Sequence, residues 1–196
     1  MRLANHWYLL YFAVTACSHP AKPPGAVVPK DSVDKSGYYT GSKKPITTIR
    51  TGSTTPAELI TFARSLTGIP YKYASANPAK GFDCSGFITY VFNHFGIIVP
   101  RQSADFTSMQ RPIDLEQAKP GDLILFTGTD STVRIVGHMG IVVSAAGQEI
   151  RFIHSTSGRA NGVTETSLKP YYVGRYMKTI RIFPQNDAGQ EQKKRF

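Results

Sequence analysis

Residues 81–87 read Gly-Phe-Asp-Cys-Ser-Gly-Phe. One of only two cysteines in the chain stands here between an aspartate and a serine, flanked by glycines, at the head of an apolar run. A cysteine that merely fills a core does not need that setting. Asp83 is suited to cap a helix. Phe87, Ile88, Val91, Phe92 and Phe95 then recur at helical spacing until Gly96 closes the run. Cys84 thereby falls in the first turn, where unpaired backbone N–H groups and the positive end of the dipole favour a thiolate. The same N–H groups suit an oxyanion on an attacked carbonyl. Ser85 and Gly86 are small and leave room for a substrate. A thiol facing the core beside Ile88 and Val91 would fit the same letters, so the rest of the chain must decide.

A nucleophilic cysteine needs a base, and the base needs a partner that orients it. His94 lies on the same helix as Cys84, about 15 Å along its axis, too far to serve. His138 and His154 lie on two strand-like stretches, HMGIVVS and EIRFIHS, joined through Ala145-Ala146-Gly147. A three-residue hairpin loop with Gly147 left-handed pairs Ser144 with Gln148 and places His138 directly opposite His154. Both then share a face with Val142, Ile150 and Phe152. A loop of another length would shift that register. No spacing supplies a third ligand, so neither metal nor cofactor is expected.

Working outward, Thr55-Pro56-Ala57-Glu58 reads as a capping box opening a helix, with Leu59, Ile60, Ala63 and Leu66 as its apolar stripe and Gly68 as its stop. A short polar helix is expected over 102–110. After Pro120-Gly121-Asp122 the pattern turns to strands: LILF, the two histidine stretches, and YMKTIRIF. Helices first and an antiparallel sheet after make an α+β fold. The catalytic-type unit is expected over 51–183, with a polar tail at 184–196. Residues 18–50, rich in Pro, Lys, Ser and Thr, read as a tether, with a short strand expected at 43–49.

The first residues combine a weakly basic start with the apolar run WYLLYFAV and then Val14-Thr15-Ala16-Cys17. A run this short is an export signal rather than a membrane span. It resembles a bacterial lipobox, which implies cleavage after residue 16 and lipid attachment at Cys17. The other reading is an ordinary signal peptide with Cys17 and Cys84 as a disulfide. The net charge of +10 suits an anionic envelope polymer or lipid. No basic stretch is interleaved with aromatics, so nucleic acid is not an expected partner.

The ordered set GFDCSGF, VPRQS, PGDLILF, GHMGIVV and FIHS resembles the NlpC/p60 family of papain-like cell-wall cysteine peptidases. The resemblance covers about residues 55–183 and implies a minimal papain-like fold. It implies Cys84 as nucleophile, His138 as base and His154 as the residue orienting that base. It also implies Tyr71, with Asp83 and Ser85, at the oxyanion and substrate positions. The family's Gly-Gly pair falls on Ala74-Ser75, a departure expected to narrow or reshape the cleft. The implied activity is peptidoglycan hydrolysis at the bond between γ-D-glutamyl and a diamino acid of the stem peptide. A monomer anchored by its lipid is expected, and Ser18 after Cys17, not an aspartate, leaves the outer membrane facing the periplasm as its setting. The thiol and histidines equally suit a papain-like acyltransferase or amidase. A wall-binding lipoprotein without turnover would be a different class, and a thiol inert to iodoacetamide would mark it.

Overall fold

The computed structural model describes residues 46–109 and 111–187. The expected leader, the anchor at Cys17, and most of the tether and tail lie outside the described residues.

Helix α1 (Pro56–Ser65) starts where the capping box puts it: the Thr55 hydroxyl accepts from the Glu58 N–H, and the Glu58 carboxylate accepts from the Thr55 N–H. A two-stranded ribbon follows, β1 (Ala76–Asn77) and β2 (Gly81–Phe82), and it leads directly into α2 (Cys84–His94). The short polar helix forms as a 3-10 segment over Ser103–Ser108. Strands β3 (Pro112–Ile113), β4 (Leu123–Thr127), β5 (Val136–Val142), β6 (Arg151–Thr156) and β7 (Gly162–Ser167) come next. The one-turn helix α3 (Pro170–Val173) precedes β8 (Tyr176–Ile180). The main sheet is antiparallel, in the order β3-β8-β4-β5-β6-β7. The α+β architecture expected from the sequence is the one observed.

Alternation along the strands builds a core on each face. Leu123, Leu125, Met139, Ile141 and Ile153 pack under α1 and α2 against Leu59, Phe87, Ile88 and Val91. Ile124, Phe126, Val142 and Phe152 form a second cluster, closed by Tyr172 and Tyr176. His94 lies exposed on α2 with its ring stacked on Phe62.

Two expectations are corrected. Residues 46–49 form no strand. Ile46 and Ile49 stand three apart rather than two, and both pack against the main core. The β5–β6 register is also displaced. The observed pairs are Ile141↔Ile153 and Val142↔Phe152, so the loop is longer than three residues. Gln148 N–H closes a turn on the Ala145 carbonyl, with Gly147 left-handed at φ 78°. The slip is two residues, which leaves every side chain on its expected face. Continuing this register sets His154 opposite Gly140 and diagonal to His138.

Packing also extends beyond the 51–183 unit. Pro184–Asp187 forms a 3-10 turn, and Asp187 pairs with Arg111 and Arg181.

Candidate active site

The position of Cys84 is built by a clamp around the start of α2. Asp83 caps the helix, its Oδ1 accepting from the Gly86 N–H at 2.6 Å. Arg101 grips the same carboxylate with both terminal nitrogens, at 3.0 and 2.6 Å, and also donates to the Ser85 hydroxyl at 3.0 Å. The Asp83 N–H is held by the Ser75 carbonyl. A Cβ on Gly86 would stand 2.1 Å from that carbonyl oxygen, so glycine is required by close packing. Asp83 and Ser85 are buried in this clamp and do not line the cleft. The smallness of Gly86 thus serves the approach of α2 to the ribbon rather than that of a substrate. Arg101 is a supporting residue to which the sequence reading gave no role, although it lies within the quoted VPRQS.

Cys84 is a free, nearly buried thiol that lines the cleft. Its Sγ donates to the Gly137 carbonyl at 3.7 Å, in the peptide that leads into His138. Burial pushes the thiol up to about 11, and the Asp83 carboxylate adds to the effect. The first-turn N–H groups of Ser85 and Cys84 oppose that shift, followed by Arg101. The expected lowering by the helix N-terminus is therefore present but outweighed by desolvation, and the resting group is a thiol.

His138 is aimed by a bulge. Phe126 pairs with His138 but Thr127 with Val136, leaving Gly137 as the extra residue. A Cβ on Gly137 would come within 2.7 Å of the Gly128 nitrogen, so no larger residue fits. His138 Nε2 lies 2.7 Å from His154 Nδ1, and His154 Nε2 lies 2.9 Å from Thr166 Oγ1. The diagonal contact is possible because Gly140 has no side chain: a Cβ there would meet Phe152 at 2.6 Å and the His154 Cβ at 3.3 Å. Burial holds both imidazoles below their ordinary range, His154 down to about 3. Each histidine is also disfavoured as a cation by Arg175, and His138 further by His154. Both rings are thus neutral at rest. With a proton on His138 Nε2, that nitrogen donates to His154 Nδ1, and His154 Nε2–H donates to Thr166. The lone pair of His138 then lies on Nδ1.

The cleft over Cys84 and His138 encloses about 770 Å³. Tyr71 lines it as expected, and burial followed by the neighbouring Cys84 raises its hydroxyl above the ordinary tyrosine range. Ala74 and Ser75 do not line it. Ala74 keeps a left-handed backbone at φ 56°, the conformation a glycine would adopt without strain, and Ser75 spends its carbonyl on Asp83. Neither side chain of the Ala74-Ser75 pair is part of the cleft wall. Gly128 and Thr129, at the start of the long polar loop before His138, and residues 156–160 contribute to the walls, and so do segments to which the sequence reading assigns no site role. Thr164 and Thr166 come from β7, Tyr171 and Tyr172 from α3, and Arg175 follows them. The signal for β7 was its β-branched run Val163-Thr164, with Thr166, in an otherwise polar stretch.

The NlpC/P60 family model matches residues 68–181. The chain is 29% identical over 176 residues to the gamma-DL-glutamyl hydrolase of Bacillus subtilis, covering 89% of this chain and 40% of that protein. It is 31% identical over 117 residues to the murein DD-endopeptidase MepS/murein LD-carboxypeptidase of Escherichia coli, covering 59% and 56%. The crystal structure of an NlpC/P60 family protein from Bacillus cereus superposes with a TM-score of 0.59 at 29% identity, covering 68% of this chain and 42% of that one. The chain thus spans about half or less of the length of each of these relatives.

Proposed function

This chain belongs to the NlpC/P60 family, and from that premise we propose that it is a cysteine endopeptidase of bacterial peptidoglycan, with Cys84 as nucleophile, His138 as base and His154 as the residue orienting that base. The observation that carries the reading is the convergence on one cleft of a thiol in the first turn of α2 and the chain Thr166–His154–His138.

Cys84 Sγ attacks the scissile carbonyl as His138 Nδ1 takes the thiol proton. Because both groups are neutral at rest, transfer accompanies attack. The oxyanion faces the Cys84 backbone N–H and the Tyr71 hydroxyl. The C–N bond breaks as His138 returns its proton to the leaving amine. Water, deprotonated by His138, then releases the acyl group. His154 keeps the proton on Nε2 of His138 and stabilises the imidazolium that forms.

The bond cut is that between γ-D-glutamyl and the diamino acid of the stem peptide. A relative that matches 89% of this chain is a gamma-DL-glutamyl hydrolase, which supports a γ-glutamyl bond over the bonds named for the Escherichia coli protein. Cys17 carries the lipid, and the enzyme works as a monomer from the outer membrane into the periplasm. The lipobox-like Val14-Thr15-Ala16-Cys17 supports the anchor, and Ser18 after it, in place of an aspartate, is compatible with the outer membrane.

The test is digestion of purified sacculi by the chain and by its Cys84→Ala variant, with released fragments read by mass spectrometry. Fragments ending in D-glutamate, absent with Cys84→Ala, are expected. An intact sacculus across several stem chemistries would reject the reading and favour an acyltransferase.

A further inference from the structure

Arg175 is 6% exposed, lines the cleft, and has a buried Nε with no hydrogen-bond partner. Its Nη1 donates to the Tyr171 hydroxyl at 2.8 Å and its Nη2 to the Thr127 carbonyl at 2.9 Å. The guanidinium also lies against the rings of Tyr171 and Tyr172, at 5.0 and 5.5 Å. No carboxylate pairs with it among the described residues.

Arg181 supplies the contrast within the same molecule. It is also buried, and the fold gives it the buried carboxylate of Asp122 at 3.0 Å. A buried charge without a counter-charge is costly. The cleft does not provide one either: its lining holds Arg159 and Arg175, a series of hydroxyls, and neither aspartate nor glutamate.

The position of Arg175 says which half of a substrate would supply the missing charge. Tyr172 stacks on His138 and also meets the guanidinium, so Arg175 lies one ring away from the base. His138 delivers the proton to the leaving amine, so the leaving half lies over His138 and toward Arg175. We infer that Arg175, with the Tyr171 hydroxyl, forms a subsite for a carboxylate carried by the leaving residue, which selects an acidic diamino acid over a neutral or amidated one. This rests on the peptidase reading for the side the leaving group takes. Guanidinium geometry suits a carboxylate, with paired N–H donors in a fixed plane. Occupancy would also compensate the cation that disfavours proton uptake by His138 and His154, so the matching substrate would make the base more effective.

The test is calorimetric binding to the full chain carrying Cys84→Ala, which cannot turn over. The two probes are L-Ala-γ-D-Glu-diaminopimelate with both carboxyls of the last residue free, and the same peptide with both as primary amides. The diacid is expected to bind at least about tenfold tighter at physiological salt, in line with a charge-assisted pair. Adding Arg175→Met should bring the two within about twofold, Arg175→Lys should keep part of the difference, and Arg159→Ala should leave it intact. Equal binding of the two peptides overturns the subsite, as does a difference that survives Arg175→Met or disappears with Arg159→Ala. Should Arg175→Met fail to fold by circular dichroism, the diacid–diamide comparison in the Arg175 chain and in Arg159→Ala still decides. Hydrolysis of both peptides by the Cys84 chain is run in parallel. Its absence would reject the peptidase reading, while the binding difference judges the subsite independently.

Discussion

His138 Nε2 and His154 Nδ1 stand 2.7 Å apart although the two residues are not directly opposed across β5 and β6. Gly140 opens the space that lets the rings meet on the diagonal. The next link is Thr166, whose hydroxyl lies 2.9 Å from His154 Nε2. Removing that hydroxyl while keeping the shape loosens the tautomer of both rings. Thr166→Val should lower kcat about five- to tenfold with little change in KM, the worth of roughly one neutral hydrogen bond. Thr166→Ser should restore most of it. Steady-state kinetics on a γ-glutamyl peptide checks both.

The neutral histidines make stability depend on pH in one direction. His154 has a folded pKa near 3 against an ordinary 6.5, and burial lowers His138 as well. Above pH 6.5 both states leave the rings neutral and nothing is gained or lost. Below it the unfolded chain takes up protons that the native state refuses, so stability falls as pH drops from about 6.5 toward 3. In that window His154 contributes about 1.4 kcal/mol per pH unit, and His138 acts in the same direction. Urea unfolding at pH 7, 6 and 5 should show the fall, and His154→Asn should make it shallower.

Cys84, raised to about 11, should alkylate as a buried thiol that ionises late. The iodoacetamide rate of the unliganded chain should keep climbing from pH 7 to pH 10. A plateau below pH 8 would mean a thiolate–imidazolium pair at rest, contrary to the neutral pair described here.

Gly86→Ala places a methyl group against the Ser75 carbonyl, where a Cβ has only 2.1 Å. The ribbon and α2 must separate, which moves Cys84. The variant should lose activity and lower the unfolding midpoint, with a cost of about 1–3 kcal/mol for an overpacked site. Ala74→Gly, nearby but outside the cleft lining, should leave activity unchanged.

Arg181→Met strands the Asp122 carboxylate, which is fully buried beneath it. Breaking one partner of such a pair should cost about 3–5 kcal/mol. Denaturant unfolding measures the loss.

The readable parts of the chain were those where one local rule decides. Thr55, Pro56 and Glu58 specify a helix start among themselves, and Asp83 announces α2 because a cap and an apolar stripe adjoin. The strand face of His138 and His154 was readable because an even slip preserves it, while the register itself depended on how the 145–148 turn closes. The strand carrying Thr164 and Thr166 is polar and lies at the edge of the sheet, so it lacks the alternation that a buried face imposes. Arg101 and Arg175 reach their places through tertiary contacts, with Asp83 and with the Tyr171–Tyr172 pair, that no local pattern encodes. The thiol's proton affinity is hidden from the sequence for the same reason. The helix start was visible, but the depth of burial around Cys84 was not.

The most direct measurement of the central claim is the intact mass of the chain, acid-quenched within milliseconds of mixing with L-Ala-γ-D-Glu-diaminopimelate. An acyl-enzyme on Cys84 adds the mass of the L-Ala-γ-D-Glu acyl group, maps to the peptide holding residues 81–87, and is absent from Cys84→Ala. Turnover that proceeds without any adduct, or that survives Cys84→Ala, would contradict the account.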